Sequence, residues 1–268
     1  MKFKHLVTSG CSFAARAENS WPIWLSDSMN TQLHSYGVPS AGNAWVSKSL
    51  IHGVQKLLDS GVTPDEILAV VMWTGIDRKD LFITSRETPD YFRLRSNISA
   101  NPVNFIDETI HWVSSDTDGY LLGTMACNFK NSNINALKHR LVSDFYTEES
   151  LAIESYENFL RVQWYCKANG VKLFNHTYMD IMHYPTYSFS EPSVTPMILT
   201  KDTYSRNIGP LYSMINFDDW IFWGKTGGMY EYTRDNNLPF NSDGVHPTIK
   251  AYSHYVENFL SGEIAKKL

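Results

Sequence analysis

The chain has 268 residues, a formal net charge of -5 and 43% apolar residues, enough for a sizeable core in one large domain or one domain with insertions. It contains no block of Lys or Arg that would mark a nucleic-acid footprint and no run near the roughly 20 apolar residues of a membrane span. Cys11, Cys127 and Cys166 are odd in number and widely spaced, which excludes a disulfide framework or a CxxC metal pair and makes a reducing compartment the default.

The opening MKFKHLVTSG has too short an apolar run for a signal peptide, so a cytoplasmic location is expected. The glycosylation pattern NHT at 175–177 carries little weight without such a signal. KHLVTS, 4–9, reads as a first strand. SWPIWLSDSM, 20–29, reads as a helix with Ser20 as cap and Pro22 in the first turn, where a missing N–H is harmless. TQLHSYGV, 31–38, reads as a second, shorter strand. GNAWVSKSLIHGVQKLLDSG, 42–61, reads as a helix, because Val46, Leu50, Val54 and Leu57 share one face and Gly61 falls where a C-cap belongs. TPDE, 63–66, reads as a turn or short cap.

ILAVVMW, 67–73, is nearly unbroken apolar, the pattern of a parallel strand covered on both faces. Residues 79–145 hold scattered aromatics, several Asn and SSDTDG, and read as an insertion of short helices and loops. TEESLAIESYENFLRVQWYCKANG, 147–170, returns to helical periodicity, with Ala152, Tyr156, Phe159 and Gln163 on one stripe, Thr147 as cap and Gly170 as stop. VKLFNHT, 171–177, is the next strand, and 180–240 a second irregular insertion. The stretch 246–268 closes the chain as a helix, with Ile249, Tyr252, Val256, Phe259 and Leu260 on one side. Strands alternating with helices predict right-handed crossovers and a mostly parallel α/β sheet with helices on both faces, as one domain over 1–268.

In such sheets ligands bind beyond the carboxyl ends of the strands. Ser12 lies at such an end, in SGCSF. A serine hydroxyl becomes nucleophilic when a base takes its proton and a third group holds the base's tautomer. NSDGVHPT supplies Asp243 and His246 three apart, directly before the last helix. A short turn would place Asp243 on one imidazole nitrogen and leave the other for Ser12. Gly42, in SAGN after the second strand, is placed to offer a backbone N–H to a developing oxyanion at the positive end of a helix. MWTGIDR, with Gly75 and Asp77, follows the third strand. Each feature has a plainer reading: Ser12 as a helix cap, His246 as a turn residue, Gly42 as a helix-start glycine, Asp77 and Arg78 as a structural ion pair.

These four stretches together resemble the ordered blocks of the SGNH/GDSL hydrolase superfamily. SGCSF resembles the block of the nucleophilic serine, SAGN that of the oxyanion glycine, WTGIDR the GxND block, and DGVHP the DxxH block. The resemblance implies a three-layer α/β/α sandwich with about five mostly parallel strands in flavodoxin-like order. It implies ester hydrolysis with Ser12 as nucleophile, His246 as base, Asp243 as orienter and Gly42 as oxyanion donor. The expected substrate is a small acyl ester, with an O-acetylated glycan as the weaker suggestion, and no cofactor or metal is expected. The resemblance leaves both insertions uncovered.

Two departures stand out. Cys11 replaces the residue before the serine, and in an extended stretch its side chain points away from that of Ser12. Asp77 stands where the family carries its oxyanion asparagine, and an ionised carboxylate donates no hydrogen bond. Asn43 is the candidate replacement. These departures motivate an alternative, a non-catalytic binding or structural protein that keeps the fold. A flavin or nucleotide binder is disfavoured, since no GxGxxG or P-loop is present. His176, His183 and His254 match no tight metal-ligand spacing. Trp220, Trp223, Tyr230 and Tyr232 in the second insertion read as interface or core material or as a sugar-facing surface, with packing on a partner, in an oligomer or assembly, or over the cleft the favoured expectation.

Overall fold

The computed structural model describes residues 3–15, 20–38, 41–76, 78–83, 119–124, 148–184, 197–198 and 208–268. Strands β1 (His5–Ser9), β2 (Gln32–Ser35), β3 (Ile67–Trp73), β6 (Lys172–Thr177) and β9 (Trp220–Ile221) form one sheet in the order β2-β1-β3-β6-β9. Every neighbouring pair in it runs parallel. This is a flavodoxin-like order, with the chain reversing direction across the sheet beside β1.

Between β1 and β2 lies α1 (Trp21–Met29), and between β2 and β3 lies α2 (Asn43–Asp59). Helix α3 (Glu148–Ala168) precedes β6. The chain closes on α6 (Ile249–Tyr255), a π-helical turn (Val256–Leu260) and α7 (Ser261–Lys267). Helices α2 and α3 pack on each other over one face of the sheet, where Ser9 meets Ser49 and Trp73 meets Phe159. Helix α1 and the C-terminal helices cover the other face, where His176 lies between Trp21 and Tyr255. The result is a three-layer α/β/α sandwich.

The central strand anchors the sandwich. All seven residues of β3 are buried, because both its faces are roofed by helices and it has paired strands on both edges. Each large aliphatic side chain so enclosed stabilises the fold by roughly 1.5–3 kcal/mol. Gly61 and Gly170 take φ of +91° and +70° after α2 and α3, the left-handed turn that lets each chain drop back to the sheet.

Two expectations about the insertions need correction. Residues 78–83 and 119–124 are not helix and loop: β4 (Arg78–Ile83) pairs antiparallel with β5 (Gly119–Thr124). The second irregular stretch contributes β7 (His183–Tyr184) and β8 (Met197–Ile198), α4 (Ile208–Met214), α5 (Met229–Asp235) and β9, the fifth strand of the main sheet. A two-residue strand carries too little sequence to display a period. The Thr147 cap lies outside the described residues.

Trp220 and Tyr232 are 4% and 2% exposed, so they belong to this chain's own core instead of facing a partner or cleft. Trp220 packs on Phe159, Phe217 and Phe222, and Tyr232 on Trp223, Tyr255 and Phe259. Among the described residues no helix is long and apolar enough to cross a membrane.

Candidate functional site

The site is assembled at the carboxyl ends of β1 and β3 and the loop before α6. After β1 the chain must turn sharply against β3. Gly10 permits this: a Cβ there would lie 2.9 Å from the Cβ of Ala14 and 3.2 Å from the Cβ of Met72. The turn closes with the Ala14 amide donating to the carbonyl of Cys11 at 2.9 Å. Cys11 is fully buried while Ser12 is partly open, and both stand in the turn after β1, where the alternation of an extended strand does not apply. The helix-cap reading of Ser12 fails, because α1 begins at Trp21 after Ser20. Ser20 itself makes no side-chain cap bond; its hydroxyl donates to the carbonyl of Ala14 at 3.0 Å.

The loop before α6 folds back as its Asp-Gly pair suggests. Gly244 takes φ +68°, and Asp243 Oδ1 accepts from the amides of Val245 at 3.0 Å and His246 at 2.9 Å. Asn241 fastens the same loop, its amide donating to the carbonyl of His246 at 2.8 Å and its side chain to that of Pro247 at 3.0 Å. The second Asp243 oxygen, Oδ2, lies 2.7 Å from His246 Nδ1. His246 Nε2 lies 2.7 Å from Ser12 Oγ, across 234 positions of sequence. An ionised carboxylate only accepts, so Nδ1 carries the proton toward Asp243, and a neutral ring then turns the Nε2 lone pair to the Ser12 hydroxyl.

Partial burial would raise the Asp243 carboxyl. The amides of His246 and Val245 and the imidazole outweigh it and lower the pKa to about 2. Phe13 sets the ring's position. It is 1% exposed, lies 5.0 Å from His246 centroid to centroid, and meets Tyr178 edge-on at 5.3 Å.

The expected oxyanion donors are arranged differently. The Gly42 amide, at the N-cap of α2, donates to Asp80 Oδ1 at 2.8 Å, and the Trp45 amide donates to Asp80 Oδ2 at 2.7 Å. Asp80 thus satisfies donors that a helix start leaves orphaned. Gly42 therefore has no open N–H for an oxyanion in this structure, a correction to its expected role. A Cβ at 42 would lie 2.8 Å from both the carbonyl oxygen of Arg78 and Asp80 Oδ2, so only glycine admits β4 this closely. Burial raises the Asp80 pKa to about 6 against the lowering effect of the two amides.

Asn43 is not an open donor either. Its Nδ2 donates to the carbonyl of Thr74 and to Ser155 Oγ, both at 3.1 Å, and its Oδ1 accepts from the Thr74 amide at 3.0 Å. It is 2% exposed and joins α2, α3 and the end of β3. Asp77 lies outside the described residues. Gly75 is buried, and its carbonyl accepts from the Arg78 amide at 3.2 Å. Among the described residues, the Ser12 amide donates to no acceptor.

Two of the histidines weighed for a metal each lie against a tyrosine hydroxyl. His176 is fully buried, its Nδ1 3.1 Å from the Tyr255 hydroxyl, and burial lowers its pKa to about 3. His254 Nδ1 lies 2.8 Å from the Tyr232 hydroxyl. Sequence reasoning missed Asp80, Phe13 and Tyr178. Phe13 adjoins Ser12 and could have been found by asking what seats the imidazole. Asp80 has no local signal.

Fold and site together define an α/β/α sandwich with a flavodoxin-like parallel sheet, an architecture consistent with the general SGNH/GDSL type and compatible with hydrolases. Compared with protein-family models the chain matches none, and no curated protein matches it.

Proposed function

We propose that this chain, taken as one domain over 1–268 with two insertions, is a serine hydrolase of esters. The observation that carries the proposal is the continuous chain of 2.7 Å contacts from Ser12 Oγ through His246 to Asp243 Oδ2. His246 Nε2 takes the Ser12 proton as Oγ bonds to the ester carbonyl carbon. Asp243 holds the Nδ1–H tautomer and stabilises the imidazolium. The intermediate collapses with loss of the alcohol, which receives the proton from His246. Water then attacks the acyl-serine, giving its proton to Nε2. Ser12 departs and regains that proton, and the carboxylic acid is released.

The Ser12 amide is the oxyanion donor in this scheme. The Gly42 amide could join it only if Asp80 withdrew. One absent donor typically costs about 10²- to 10³-fold in rate, so slow turnover is expected. A small acyl group suits the scheme, with an O-acetyl ester of a carbohydrate as the narrower suggestion.

The test is acetate release from p-nitrophenyl acetate and from acetylated glycans. Ser12→Ala should lower it by at least about 10³-fold; an unchanged rate would sink the proposal. A second reading, a binding protein that keeps the fold, is favoured by the engagement of both Gly42 and Asn43. A fluorophosphonate separates the two readings, since only an activated Ser12 would be labelled.

A further inference from the structure

Two histidines that the proposed chemistry does not use meet at the edge of the main sheet. His5 begins β1, and His34 lies in β2, the edge strand. Val7 pairs with His34 in the ladder, and His5, two residues before Val7, shares that face of the pleat. His5 Nδ1 lies 3.2 Å from His34 Nε2, with ring centroids 5.3 Å apart, and both rings are partly buried. At this spacing one nitrogen donates a proton and the other offers its lone pair. Once both rings are charged, every ring nitrogen carries hydrogen. The hydrogen bond is then lost, and two like charges stand in contact.

The neighbouring elements add cations to this face. Helix α2 covers it, for Ser9, two beyond Val7, meets Ser49. From α2, Lys56 acts on His34, and His52 meets Tyr36 edge-on at 6.1 Å. Burial, the His5 ring and the Lys56 ammonium all hold the His34 imidazole below its ordinary 6.5. On the other side of His5, β3 carries no charge. Lys4 is bridged to Glu66, and its place next to His5 turns it to the opposite face. That face belongs to α1, whose charged residue is Asp27. Folding therefore favours the neutral His34. This contribution is fully present above pH 6.5 and declines as pH falls below it.

The edge strand leads to the turn that carries Ser12. The Tyr36 amide donates to the carbonyl of Thr8 at 2.8 Å, and the Val38 amide to that of Gly10 at 3.0 Å. A Cβ at Gly37 would lie 2.8 Å from the Cβ of Ala14. Residues 36–38 thus brace both ends of the 10–14 turn.

We propose that the His5–His34 pair is a pH-sensitive latch: charging both rings in mild acid loosens β2 from β1, and with it the brace on the Ser12 turn. The test is amide hydrogen exchange of the full-length protein by NMR, corrected for intrinsic rates, from about pH 7.5 to about pH 5. Protection of the Tyr36 and Val38 amides should fall about 10-fold over that range, while amides between β3 and β6 keep theirs. His34→Gln and His5→Gln, which cannot charge, should each flatten the profile. Constant protection in the wild type, an equal fall in the β3–β6 ladder, or an unchanged fall in both variants would overturn the proposal. If His34→Gln does not fold, His5→Gln decides alone. The readout needs no substrate, so its outcome is independent of the hydrolase reading.

Discussion

The amide of Gly42 lies 2.8 Å from Asp80 Oδ1 and so is bonded within the chain, 38 positions away in sequence. A glycine before a helix at the carboxyl end of a parallel sheet has the placement of an oxyanion donor. Here the same placement serves an internal carboxylate that caps α2. Helix-start amides favour any anion, and β4 delivers one. The competition between Asp80 and a reacting oxygen for that amide bears on both stability and rate.

Asp80→Asn removes the titration and also sets an NH₂ against the Gly42 or Trp45 amide, a loss of one hydrogen bond that lowers Tm and leaves the pH dependence as the readout. The folded pKa of Asp80 is raised to about 6 from the ordinary 3.8, chiefly by burial. Its protonated form is therefore favoured by folding. That stabilisation is fully present below about pH 3.8 and is lost as pH rises through about 6. Asn cannot ionise, so the variant should gain on the wild type between pH 4 and 6, as measured by Tm at each pH. The shift corresponds to an order of 3 kcal/mol at most, at about 1.4 per pH unit. A Tm difference between the two proteins that stays constant across this range would remove Asp80 as the titrating group.

Asp243→Asn tests the tautomer. The Asn oxygen can still accept from the Val245 and His246 amides, so the loop should fold. Its NH₂ would then face His246 Nδ1 and force the proton onto Nε2, which could no longer accept from Ser12. Ester turnover should fall by about 10⁴-fold in kcat, with KM and Tm little changed. The wild-type carboxyl, lowered to about 2, favours the ionised fold. Its contribution is present above the ordinary 3.8 and lost as pH falls through about 2, so moderate acid should leave it charged. A variant with normal kcat would show that Asp243 serves only the loop.

What the sequence discloses here follows the range of the interactions. β3 is visible because seven successive apolar residues are all enclosed. Ser12, His246 and Asp243 come from short strings whose chemistry is local in type, and the fold brings their ends together. Asp80 has no such string: its two partners lie 38 and 35 positions away, and an Asp in RKDLFI is indistinguishable from a solvated strand residue. β9 is two residues long, below any period. Trp220 and Tyr232 were legible as large aromatics, but whether they face core or partner depends on β9 joining the sheet.

Gly228→Ala probes the seam between β6 and α5. A Cβ at 228 would collide with the carbonyl oxygen of Thr177 and lie 2.7 Å from the Met179 amide nitrogen. Both are backbone atoms, so neither can swing aside. The backbone at 228 is itself extended, with φ -117° and ψ -155°, so the cost is steric, about 1–3 kcal/mol. The Tyr230 amide donates to the carbonyl of Tyr178 at 2.8 Å, so the strain should also move Tyr178. Urea unfolding should show the lowered stability. A midpoint equal to wild type would mean that the two segments are not packed this closely.

Phe13→Leu tests whether the imidazole is seated by packing as well as by its hydrogen bonds. Phe13 has His246 on one side and Tyr178 on the other. Truncation to Ala would leave a cavity and cost about 3–5 kcal/mol, confounding a kinetic reading with unfolding. Leu keeps most of the volume, so the protein should remain folded with a modest loss of Tm. It lacks the flat ring face, however, and His246 gains freedom about its bond to Asp243. Turnover of p-nitrophenyl acetate should then fall about 10-fold in kcat, with KM little changed, because Phe13 is buried and acts through the imidazole. Phe13→Tyr, which keeps the ring, should restore most of that rate where its hydroxyl is accommodated. Equal kcat in the Leu variant and the wild type would show that Asp243 alone is enough to orient the base.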